Sequence, residues 1–136
     1  MGSNNESQAY KAKVATGFRK LLNDGGPAFI HCLEGKDRTG FVCMLIEALA
    51  GATYDEMKSD YMETYRNYYN ITETDDKARY DEVVNVYFNS FMKYLSNTDD
   101  DTALKTINYV QPAKNYLLDS GMTNEEIDAL IALVCN

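Results

Sequence analysis

Ten consecutive residues carry groups able to do chemistry together: His31-Cys32-Leu33-Glu34-Gly35-Lys36-Asp37-Arg38-Thr39-Gly40. Five residues separate Cys32 from Arg38. The short apolar run Ala28 to Ile30 precedes the segment, and a long apolar helix pattern follows it. A chain that turns from a strand into a helix aims unpaired backbone N–H groups and the positive helix end at one spot, which suits a phosphate. Gly35 lets the loop curl with its backbone close to a ligand, and Gly40 eases entry into the helix. Cys32 then lies at the base of a positive field that favours thiolate over thiol. Arg38 returns to the mouth, where a planar guanidinium grips two phosphate oxygens. Thr39 can offer its hydroxyl to the sulfur. The chemistry that fits is attack of a thiolate on phosphorus, a phosphocysteine, then hydrolysis. A cysteine at a strand end is more often plain core, but chance does not readily supply Gly35, Thr39 and Gly40 at these offsets.

The elements that must hold this loop follow from periodicity. Tyr10, Val14, Phe18, Leu21 and Leu22 fall at helical spacing, so 9–22 reads as a helix ended by Gly25-Gly26-Pro27. Residues 28–32 form the one convincing strand. The stretch 40–50 is apolar nearly all round, hence a buried central helix stopped at Gly51. Thr53 and Glu56 form a capping box that opens a helix to about Asn70, rich in tyrosine (Tyr54, Tyr61, Tyr65, Tyr68, Tyr69). That face reads first as core with hydroxyls at its edge, and second as a pocket lining. A long amphipathic helix over 75–95 places Tyr80, Val83, Val84, Tyr87, Phe88, Phe91 and Leu95 on one stripe. An acidic linker follows at 97–101. A helix from about Thr102 comes next, then one from Pro112 to Gly121, and a last one capped by Thr123 and Glu126.

His31-Cys32-x-x-Gly35-Lys36-Asp37-Arg38-Thr39-Gly40 resembles the active-site signature of the cysteine-based protein tyrosine phosphatases, and its core is similar to their bacterial tyrosine/lipid phosphatase branch. The continuation through Asp60-Tyr61-Met62 and Tyr68-Tyr69, and the ending Tyr116-Leu117-Leu118 to Leu130, resemble that branch as well. The resemblance implies an α/β fold with a parallel sheet flanked by helices. This chain, mostly α-helical with one strand leading into the phosphate loop, would be the C-terminal portion (1–136) of a single phosphatase domain.

It further implies Cys32 as nucleophile and Arg38 as phosphate clamp, with Thr39 as hydroxyl partner. His31 would orient the loop and help lower the Cys32 pKa. Leu33, Glu34, Gly35, Lys36 and Gly40 would cradle substrate. Most of the superfamily supplies its proton donor from an upstream loop, for which there is no room here. Asp37 is the better candidate, its alternative being a salt bridge to Lys36 or Arg38 that only shapes the loop. Asp24 reads as a turn residue closing a helix. Lys36 adds charge of the kind that suits phosphoinositides, or is a solvated loop contact. A lone strand leaves its backbone groups unpaired, so either a complementing chain or a second copy supplies strands, or the segment is covered irregularly.

A net charge of -8 leaves no basic stripe for nucleic acid and makes the loop a small positive spot on an acidic surface. Three cysteines (Cys32, Cys43, Cys135) in apolar or loop contexts read as reduced thiols of a cytoplasmic protein. The start is too polar for a signal peptide, Glu6 breaks a myristoylation pattern, and Asn5 and Asn70 open chance glycosylation triplets. The run 41–50 is too short for a membrane span. No cofactor is implied, because His31 stands alone and a thiolate mechanism needs no metal. Three readings stay open: a phosphatase of phosphotyrosine proteins or phosphoinositides, a phosphate-binding but inactive fragment, and a helical module whose 75–95 stripe binds a partner.

Overall fold

The computed structural model describes residues 7–135. The readings at Asn5, at Glu6 and over most of the polar start therefore lie outside the described residues. Helix α1 (Gln8–Asp24) begins where the Ser7 side chain accepts the Tyr10 N–H. It ends at Gly25, whose φ of 75° closes the last turn onto the Leu21 carbonyl. Helix α2 (Arg38–Leu49) follows the loop. Helix α3 (Tyr54–Tyr69) carries the full Thr53/Glu56 capping box.

One continuous helical stretch then runs as α4 (Lys77–Glu82), a π-helical turn (Val83–Phe88) and α5 (Asn89–Ser96). A single short turn, α6 (Asp101–Leu104), precedes α7 (Val110–Asp119). Pro112 sits in the first turn of α7, where its missing N–H costs nothing. Helix α8 (Asn124–Val134) is opened by the Thr123/Glu126 capping box.

Helix α2 is the hub. Phe41, Met44, Leu45, Ala48 and Leu49 are buried along it, and α3, α7 and α8 pack around it. The Phe41 ring lies 5.3 Å from Tyr116, 5.6 Å from Phe91 and 6.3 Å from Tyr10, joining four helices at one side chain. Burying such a ring contributes about 1.5–3 kcal/mol. Arg19 ties α1 to α8 by a forked contact to Glu126 (2.8 and 3.0 Å) and donates to the Gly121 carbonyl (2.7 Å).

Two expectations are corrected here. Residues 28–32 are not a strand, and among the described residues no strand forms at all. With no neighbouring strand the extended segment has no ladder to join. Its side chains are in the open, Phe29 at 87% and Leu33 at 90% of full exposure. The described residues are thus all-helical with an irregular segment before α2, and neither a paired nor a covered strand is present in them. Second, the 75–95 stripe does not stay in phase. Within the π turn the Asn89 N–H bonds to the Val84 carbonyl, five residues back. Val83, Val84, Phe88, Phe91 and Leu95 remain in the core while Tyr87 swings out to 44% exposure. Asn89, buried, accepts the Tyr54 hydroxyl at 2.6 Å.

Candidate active site

The loop between residue 32 and α2 closes on the Cys32 sulfur. Helix α2 starts at Arg38 with no side-chain cap from Asp37, so its first N–H groups are available to another acceptor. The Cys32 sulfur is the group on which the Thr39 N–H acts. Burial pushes the Cys32 thiol up, but the Thr39 hydroxyl and the backbone N–H groups of Thr39, Gly35 and Glu34 outweigh it and bring the pKa down to about 7. The Thr39 hydroxyl oxygen is itself buried and has no hydrogen-bond partner of standard geometry among the described residues. Its role is toward the sulfur. Gly35 holds φ at 68°, which lets its N–H turn inward.

Arg38 and Cys32 both act electrostatically on the Tyr10 hydroxyl of α1, with burial the largest influence in raising that group. Guanidinium and thiol thus both lie within electrostatic range of the phenol. Tyr10 was legible only as a core residue of α1, since helical spacing does not reveal which end of a ring meets a loop 22 residues later.

Gly40 has a different reason from the one its sequence position suggests. It lies inside α2, and a Cβ there would meet the Tyr61 ring of α3 at 3.2 and 3.3 Å. Close packing of α2 on α3 favours the glycine, since the Tyr61 ring would have to give by a few tenths of an ångström to admit a Cβ.

The remaining residues spread around the mouth. His31 is exposed, and its ring stacks on Phe29 at 5.7 Å on the α1 side. There it borders an apolar groove of about 590 Å³ with Val14, Phe18, Leu21, Phe29 and Ile30. Leu33 projects into solvent. Asp24 is tied to Lys20 at 2.8 Å at the end of α1 and borders the same groove.

Lys36 and Asp37 face the opposite way, into a hollow of about 360 Å³ with Tyr65, Tyr69, Arg79 and Tyr87. The Lys36 ammonium lies 3.4 Å from Glu34 and 3.9 Å from Asp37, and 5.6 and 5.3 Å from the Tyr65 and Tyr69 ring centres. Burial alone would lower Lys36. Asp37 and the two tyrosines override it and hold the ammonium well above the ordinary lysine range. Glu34 is held below the usual carboxylate range by the Tyr69 hydroxyl and then by Lys36.

Cys43, one helical face along α2, shows the contrast. Burial and then the nearby Glu47 and Asp60 raise its thiol. All three cysteines are free. No helix among the described residues is long and apolar enough to cross a membrane.

Comparison with known proteins adds the following. A family model described as the tyrosine phosphatase family matches residues 4–135. A "putative tyrosine-protein phosphatase" of Cupriavidus necator is 33% identical over 58 residues, 43% of this chain and 21% of that protein. The triple specificity protein phosphatase PtpB of Mycobacterium tuberculosis is 43% identical over 44 residues, 32% of this chain and 16% of that protein. The chain thus covers about a fifth or less of each of these relatives. No solved structure matches it significantly.

Proposed function

Because the chain belongs to the tyrosine phosphatase family, we propose that it hydrolyses phosphomonoesters through a phosphocysteine on Cys32. What carries this is the lowering of the Cys32 thiol to about 7 by the Thr39 hydroxyl and the backbone N–H groups of Thr39, Gly35 and Glu34. The same amides that favour the thiolate suit the equatorial oxygens of a phosphoryl group. The Cys32 thiolate attacks phosphorus and the P–O bond to the alcohol breaks. The leaving oxygen takes a proton, for which Asp37 is the candidate donor. Arg38 holds the charge on the transferring oxygens. Water then attacks the phosphocysteine, releasing inorganic phosphate and regenerating the thiolate.

An aryl phosphate such as phosphotyrosine suits the surroundings better than a phosphoinositide. Tyr65, Tyr69 and Tyr87 border the hollow beside the loop, which favours an aromatic leaving group. Lys36, the extra cation, is already engaged by Glu34, Asp37 and two rings. The open backbone at 28–32 supports taking this chain as the C-terminal portion of a phosphatase domain whose sheet strands lie on other sequence.

The test is turnover of p-nitrophenyl phosphate and a phosphotyrosine peptide. The rate should rise with pH through about 7 as Cys32 ionises. Cys32→Ser should lose at least about 10³-fold. Undiminished turnover in that variant would exclude the mechanism. Absence of turnover in the unmodified chain, with oxyanion binding retained, would leave a phosphate-binding fragment.

A further inference from the structure

The C-terminal end of α3 reaches back to the loop through a single hydroxyl. Tyr69 Oη donates to Glu34 Oε2 at 3.0 Å and lies 3.4 Å from Lys36 Nζ, which donates to it. Lys36 in turn lies 3.4 Å from Glu34 Oε2. Glu34, Lys36 and Tyr69 therefore form a closed triangle on the outer edge of the loop, with the Lys36 ammonium also 5.3 Å from the Tyr69 ring centre. Glu34 is at the same time one of the residues whose backbone N–H helps to lower the Cys32 thiol. The side chain of Glu34 is held from outside while its amide works inside. Asn70, with φ of 54°, ends α3 directly after Tyr69 and bonds back to the Arg66 and Tyr65 carbonyls, which fixes where the ring stands.

We propose that Tyr69 is a positioning residue for the Cys32 loop, latching Glu34 and Lys36 so that the Glu34 and Gly35 amides stay turned toward the sulfur. Its hydrogen bonds and ring contacts do not include the sulfur. Its donated hydrogen bond has two effects of the same sign: it holds the peptide plane that donates to Cys32, and it draws the Glu34 negative charge outward, away from the thiolate. The other groups in electrostatic contact with Cys32 are Thr39 from α2 and Tyr10 from α1, and neither contacts Tyr69 in the hydrogen bonds or ring contacts described. The latch is thus a separate control on the same atom. Its importance for turnover rests on the proposed hydrolysis, but its effect on Cys32 does not.

The experiment reads the sulfur directly. The rate of Cys32 alkylation by iodoacetamide is followed from pH 5 to 9.5 by mass spectrometry of the Cys32 peptide, so that Cys43 and Cys135 do not contribute. Tyr69→Phe retains the ring under the Lys36 ammonium and every formal charge, and its melting curve reports that the bundle is intact. Tyr68→Phe, whose ring is 4.9 Å from Tyr69, is the control. In Tyr69→Phe the alkylation midpoint should rise by about half a pH unit or more, giving a rate roughly threefold lower at pH 6 and unchanged at pH 9.5. Tyr68→Phe should behave as the unmodified chain. A midpoint unmoved in Tyr69→Phe overturns the proposal, as does a rate reduced equally at all pH values, which would mean altered access to the sulfur. Loss of turnover in the unmodified chain alongside a shifted midpoint would remove the hydrolysis and leave the latch. Full turnover with no shift would do the reverse.

Discussion

Two cysteines of one helix and its loop are pushed in opposite directions by their neighbours. Cys32 faces backbone N–H groups and a hydroxyl, whereas Cys43 faces the carboxyl groups of Glu47 and Asp60 in a partly buried setting. A lowered thiol favours the thiolate near neutral pH, and a raised one does not. The same logic applies to the proton donor. Asp37 sits at the helix start with no capping bond and 3.9 Å from Lys36, while Asp24 is paired to Lys20 at the far end of α1. If Asp37 protonates the departing oxygen, Asp37→Asn should slow hydrolysis of alkyl phosphates, which need that proton, about 10²-fold, and barely affect p-nitrophenyl phosphate. Equal loss on both substrates would reduce Asp37 to a residue that shapes the loop.

At the scale of elements, the contact between α2 and α3 decides most of the site. Gly40 admits the Tyr61 ring, Tyr61 and Tyr65 share a hydrogen bond at 3.3 Å, and Tyr69 continues the row to the loop. At the other end of the same contact, burial and then Asp60 push the Glu47 carboxyl up to about 8, and its Oε2 has no partner. A raised folded-state value means that the neutral carboxyl supports the fold fully below about 4.5 and that this support is lost as pH rises through about 8. Glu47→Gln should therefore raise the melting temperature at pH 8 by the equivalent of about 1 kcal/mol, roughly 3–5 °C, and change little at pH 4. A larger gain at pH 4 than at pH 8 would contradict that reading.

How much of this was legible in the sequence also divides by element. Helices bounded by strong signals (Gly25, Thr53 and Glu56, Thr123 and Glu126) form where periodicity and caps agree. The apolar run 28–30 misled because a strand is a property of two segments, and periodicity sees one. The π turn was hidden because nothing in Val83–Phe88 distinguishes a five-residue hydrogen-bond step from a four-residue one. Cys32, Arg38 and Thr39 stand close enough in sequence to be read together. Tyr10 and Tyr69 reach the loop from other helices, and only folding brings them there.

The described residues form a helical bundle in which the candidate loop precedes α2, with its approach in the open. Phe29 and Leu33 are nearly fully exposed, so neither side chain adds to the packing of α2. A phosphate-sized anion approaching a chain of net charge -8 meets general repulsion, and affinity must come from the loop itself. Binding to the folded state raises stability by RT ln(1 + [L]/Kd), about 1.4 kcal/mol at tenfold excess over Kd. The most direct measurement is the melting temperature of the unmodified chain with and without orthovanadate, compared with Arg38→Ala. The account predicts a rise of roughly 5 °C in the first and little or none in the second. No rise in the unmodified chain at millimolar orthovanadate, or the same rise in both, would contradict an oxyanion cradle built on Cys32 and Arg38.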